Sequence, residues 1–127
     1  QILTALAAIL GHNYSPWIGF KGGKGIATSG GALIALMPAA VLILIAIWAI
    51  LFFTTKYVSI ASIGAAVSLP FLMIFGSWYH DKLVNGTWNK PLFVFCIVVA
   101  LLAVWRHRSN IKALIDGSEH QFSKKNK

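Results

Sequence analysis

Three stretches of the chain, residues 26–53, 57–79 and 91–105, contain no Asp, Glu, Lys or Arg. None shows the polar counter-face of a soluble amphipathic helix. A segment of that kind must be covered on all sides, and a bilayer does so when about 20 apolar residues cross roughly 30 Å of hydrocarbon as a helix. Composition agrees: 57% of the residues are hydrophobic, 11% are charged, and the mean hydropathy is +0.74. The pattern predicts an all-α fold, a polytopic integral membrane helical bundle forming one domain over residues 1–127.

Residues 1–12 are apolar and too short to span, and the chain opens on Gln1 as if inside a helix. The bundle is therefore expected to be truncated at its N-terminus, the chain being the C-terminal part of a longer protein. Residues 13–25 form a Gly- and aromatic-rich loop. Residues 26–53 would make a helix of about 42 Å, too long for a plain span. Pro38 lies near their middle, and a break there gives a pair of helices, 26–37 and 38–53. Spans at 57–79 and 90–105 follow, and then a basic tail over 106–127. With the break counted, the 13–25 loop, Lys56 and the tail share one side, which their cations mark as cytoplasmic. Gly30 and Gly31 are expected to let neighbouring helices approach closely.

The 11 Lys+Arg against 3 Asp+Glu give a net charge of +8, a balance that in a soluble protein would suggest nucleic acid. Here Arg106, Arg108, Lys112, Lys124, Lys125 and Lys127 all follow the last apolar run, so the charge belongs to a membrane surface and no nucleic acid partner is expected. Cys96 lies within an apolar run and reads as a small core residue. Asn85–Gly86 reads as a turn before it reads as part of a glycosylation signal.

Two clusters carry chemistry. In "FKGGKG", glycines at 22, 23 and 25 let successive backbone N–H groups line one concavity, while Lys21 and Lys24 add positive charge. A helix opening near Ile26 directs its positive end to the same place, so the expected guest is a phosphate. Gly25 stands where a nucleotide-binding loop needs Ser or Thr, which disfavours ATP. The bland reading, lysines that only set orientation, stays open. In "RHRSNIKALIDGSE" a helix leaving the membrane is expected, stopping at Gly117. His107 and Asn110, three apart, share a face on it. Arg106 and Arg108 make the setting positive, which favours a neutral imidazole able to accept a proton. The alternative, an ordinary basic anchor at the membrane edge, is also open. His12 stands between capping a helix end and joining the site. No His, Cys, Asp or Glu has the spacing of a metal site, and no metal or cofactor is expected.

The blocks "GHNYSPWIGFKGGKGIATSGG" and "RHRSNIKALIDGSE", with "TTKYVSIASI" between them, resemble the bacterial acyl-phosphate:glycerol-3-phosphate acyltransferases over roughly Leu10 to Glu119. The resemblance implies a multi-pass enzyme of the bacterial plasma membrane with its active site on the cytoplasmic face. It would move a fatty acyl group from acyl phosphate to the sn-1 hydroxyl of glycerol 3-phosphate, giving lysophosphatidic acid for phospholipid synthesis. Membrane lipid and these two substrates are then its partners. Lys21, Gly22, Gly23, Lys24 and Gly25 would bind substrate phosphate, His107 and Asn110 would be catalytic, and Glu119 structural, with His12 and Arg108 as further candidates. An earlier "SGNxGATN"-like block of the family is missing, so this chain alone is expected to be inactive. Ala113 stands where many members have Arg, and Ile26 where Val is common. A transporter or anion-path fragment is a rival, but residues 32–53, 58–78 and 92–105 lack the mid-membrane ionisable groups it would need. A structural subunit holding anionic lipid with its tail is a second.

Overall fold

The computed structural model describes residues 1–14 and 26–122. These form six helices and, among the described residues, no strand: α1 (Ile2–Asn13), α2 (Ile26–Leu36), α3 (Pro38–Thr55), α4 (Val58–Tyr79), α5 (Lys90–Arg106) and α6 (Arg108–Ile115). By length and hydropathy α3 and α4 can each cross a membrane alone, and α5 with α6 can do so as a bent pair.

Local chemistry sets where the helices stop. Pro38 has no N–H to donate and occupies the first turn of α3, after Met37 at φ −146° and ψ 62°. Ser29 of α2 and Trp48 of α3 line the same cavity, although in one straight helix they would lie about 28 Å apart. The chain therefore folds back at Met37. α3 continues two residues beyond Phe53 because Thr54 and Thr55 satisfy their hydroxyls on the carbonyls of Ile50 and Leu51, each at 2.7 Å. It ends at Lys56 in the left-handed region, φ 63°. Asn85–Gly86 lies in the turn between α4 and α5, with Gly86 at φ 68°. α5 opens with a side-chain cap, Asn89 accepting from the Leu92 amide at 3.0 Å. Trp88 packs edge-on against Phe93 beside it, an apolar contact that fixes how the chain enters the helix.

The helix expected to run from Arg106 to a stop at Gly117 is not continuous at its start. It breaks at His107, and α6 leaves α5 at 54°. The cause is tertiary: His107 is buried and its ring bonds back to the Ala103 carbonyl. α6 then ends in a left-handed stop, Gly117 at φ 71°. Ser118 N–H reaches the Ala113 carbonyl at 2.8 Å and Gly117 N–H the Leu114 carbonyl at 3.3 Å, a pattern that uses up two orphan carbonyls.

Five helices contribute to the core, with Ile9, Leu33, Leu44, Leu69, Met73, Phe95 and Val99 packed together and Cys96 among them. Leu42, Ile43, Ile50, Phe71, Phe75 and Leu101 instead face outward, which suits a surface solvated by lipid. Close helix approach falls at Gly64 of α4, where an added Cβ would collide with the Leu51 side chain of α3. At Gly30 and Gly31 an added Cβ meets nothing within 4 Å, so the expectation of tight packing there is corrected. Gly64→Val should therefore lower the thermal midpoint in detergent by the equivalent of about 1–3 kcal/mol, the usual cost of overpacking. Gly30→Ala should instead gain about 0.5 kcal/mol of helix propensity. Equal melting of the two variants would contradict this packing.

Candidate active site

Polar residues gather where five helices meet at one end of the bundle. Asn13 closes α1, Ser29 lies in the first turn of α2, Trp48 in the second half of α3, Ser62 near the start of α4, and His107 just past α5. All five line one cavity of about 320 Å³, whose remaining wall is apolar and includes Ile9, Leu33, Val41, Leu44, Leu69 and Val99. The cavity thus has a polar end and a hydrocarbon-like floor, the shape an amphiphile requires.

His107 is 1% exposed. Its Nδ1 lies 2.7 Å from the Ala103 carbonyl oxygen, which can only accept, so Nδ1 carries the proton and Nε2 is the basic nitrogen. Trp48 Nε1 donates to Ser62 Oγ at 3.2 Å and fixes both on the cavity wall. Asn13 is also 1% exposed, and among the described residues its Oδ1 has no hydrogen-bond partner. A buried carbonyl in that state costs stability, and this one borders the cavity.

Asn110 does not line the cavity. Its Nδ2 donates to Glu119 Oε1 at 2.7 Å, and the same oxygen accepts from Ser59 Oγ at 2.8 Å. Glu119 thus ties α6 to α4 by two neutral donors. Arg106 lies over the Tyr14 ring at 5.4 Å. Arg108 is exposed, stacked on Trp105 at 4.9 Å and donating to its carbonyl at 3.1 Å. His12 is exposed, while its neighbour Asn13 faces inward. Lys21, Gly22, Gly23, Lys24 and Gly25 lie outside the described residues. Among those described, no group of His, Cys, Asp and Glu could hold a metal ion.

The sequence model of the glycerol-3-phosphate acyltransferases matches residues 1–117. The chain belongs to the glycerol-3-phosphate acyltransferase family. The acyltransferase of Fusobacterium nucleatum subsp. nucleatum is 41% identical over 95% of this chain and 57% of its own length. That of Aquifex aeolicus is 41% identical over 94% and 57%. The crystal structure of PlsY (YgiH), an integral membrane glycerol 3-phosphate acyltransferase, in its glycerol 3-phosphate form superposes with a TM-score of 0.80. It is 37% identical over 96% of this chain and 56% of that one. The chain spans a little over half the length of the acyltransferases it matches, and its described residues form an all-helical membrane fold that superposes on that integral membrane protein.

Sequence reasoning missed Asn13, Trp48, Ser59 and Ser62. One signal was present for Asn13: it follows Ile9 by four residues, so the two share a helical face. Since Asn13 Oδ1 is buried without a partner among the described residues, Asn13→Leu should raise the thermal midpoint by the equivalent of about 1 kcal/mol. An unchanged or lower midpoint, read by thermal unfolding in detergent, would mean that this oxygen is satisfied in solution.

Proposed function

We propose that the full-length protein transfers a fatty acyl group from acyl phosphate to the sn-1 hydroxyl of glycerol 3-phosphate, releasing lysophosphatidic acid and inorganic phosphate. The observation that carries this reading is the buried His107 at the polar end of a cavity with an apolar floor. The acyl chain lies on the floor among Leu33, Leu44 and Leu69, which places its reactive carbonyl at the polar end. The glycerol hydroxyl oxygen attacks that carbonyl carbon, the carbon–oxygen bond to phosphate breaks, and the hydroxyl proton passes to His107 Nε2 or to the departing phosphate. Acyl phosphate is already activated, so positioning supplies most of the catalysis. Lys21 and Lys24, with the backbone of Gly22, Gly23 and Gly25, hold substrate phosphate and offset charge on the leaving group. The active site faces the cytoplasm of a bacterial plasma membrane, the side on which cations such as Lys56, Arg106 and Arg108 are favoured.

Formation of lysophosphatidic acid from the two substrates by the full-length enzyme is the primary test. His107→Asn keeps a donor for the Ala103 carbonyl but removes Nε2. If Nε2 takes the proton, turnover falls about 10²- to 10⁴-fold; a loss under about tenfold assigns the proton to the phosphate. Lys24→Ala should raise the KM for glycerol 3-phosphate, and an unchanged KM would remove Lys24 from the site. For topology, single cysteines at Lys56 and Ser109 should label from the cytoplasmic side and one at Asn85 from the other. Labelling of Lys56 and Ser109 from opposite sides would exclude this arrangement.

A further inference from the structure

We infer that Leu69 sets the length of acyl chain the enzyme accepts, by ending the slot in which that chain lies. The inference rests on the acylation proposed above and adds to it a chain-length preference and the residue that governs it.

α4 lines the cavity with Ser62, Ala65, Ala66 and Leu69, the three- and four-residue spacing of one helical face. Ser62 belongs to the polar end, its hydroxyl held by Trp48 Nε1 at 3.2 Å. Down that face the two alanines leave room, and Leu69 is the first large side chain that α4 presents to the cavity. It lies seven residues beyond Ser62, about 10 Å along the axis, and is fully buried. Val41 of α3, seven residues before Trp48, and Val99 of α5, eight before His107, are the lining residues of their helices farthest from the polar end. The three together form the deep end of the slot.

Below them the interior is filled. Met73, one turn further along α4, is 6% exposed, and Phe95 and Cys96 of α5 are 1% and 0% exposed. Side-chain contacts hold this layer in place: the Ser77 hydroxyl donates to Met73 Sδ at 3.2 Å, and Cys96 Sγ reaches Met37 Sδ at 3.8 Å. An alkyl chain that fills the slot therefore meets close-packed side chains at its methyl end, and a longer one must displace them. In a close-fitting apolar site one methylene is worth about tenfold or more in kcat/KM. Leu69 is where that limit begins.

The test is a competition among saturated acyl phosphates of about 8 to 18 carbons, run with the full-length enzyme in membranes. Mass spectrometry reads the chain-length distribution of the lysophosphatidic acid formed. Ratios of kcat/KM set that distribution, so it does not depend on how much of a variant folds. Leu69→Ala should move the optimum about two to three carbons longer, and Val41→Ala, which removes less from the same end, about one to two. Ala65→Leu raises the block by four residues, about 6 Å, and should move the optimum about four carbons shorter. Leu101→Ala, on the outward face of α5, should leave the distribution unchanged. One distribution shared by the wild type and the three slot variants, or a Leu101→Ala shift as large as that of Leu69→Ala, would overturn the role of Leu69 while acylation itself stands. Absence of lysophosphatidic acid from the wild-type enzyme would sink the functional reading, and this inference with it.

Discussion

Hydrocarbon offers no partner to an unpaired amide or a bare charge, and this penalty orders the whole bundle. The helix interiors of α3, α4 and α5 carry no ionisable side chain other than Cys96, with Tyr79 at the end of α4 and Lys90 and Arg106 at the ends of α5. Groups able to do chemistry are left to the places where helices end. Because Pro38 and the turn at Lys56 return the chain, several of those ends meet. The cavity beneath them is bounded by side chains that suit an alkyl chain, so one constraint yields both the polar end and the apolar floor.

Within that frame, a single carboxylate organises the last part of the site. Glu119 accepts from α4 and from α6 at one oxygen, which holds the short helix at its angle to α5. The break at His107 then turns the imidazole into the cavity, with its proton committed to the Ala103 carbonyl. Packing supports the same wall: Phe122 meets Phe52, Phe52 stacks on Trp48 at 5.1 Å, and Trp48 bonds Ser62. A continuous set of contacts thus runs from the C-terminal segment to the cavity.

The all-helical membrane class was legible because uninterrupted apolar runs have few other physical solutions. The family was legible in the two blocks around Lys24 and His107. Other features were not, for reasons of the same physics. Arg106-His107-Arg108 contains no Pro or Gly, so nothing local announces a 54° bend that burial of His107 imposes. Ser59 and Glu119 are 60 residues apart, a pairing that no local pattern encodes. Gly30, Gly31 and Gly64 look alike in sequence, and only their neighbours show that Gly64 meets Leu51 while Gly30 borders the cavity. Asn13 lacks a charge, so its burial was invisible until its surroundings were known.

The central claim is that this cavity receives the acyl chain with its reactive end at His107. Photo-crosslinking the full-length enzyme with an acyl phosphonate bearing a diazirine at the chain terminus, followed by peptide mass spectrometry, tests it directly. The account predicts labels on floor residues such as Leu33, Leu44, Leu69 and Val99, suppressed by excess acyl phosphate. Labels confined to lipid-facing residues such as Ile43, Phe71 and Leu101, unaffected by competitor, would contradict it.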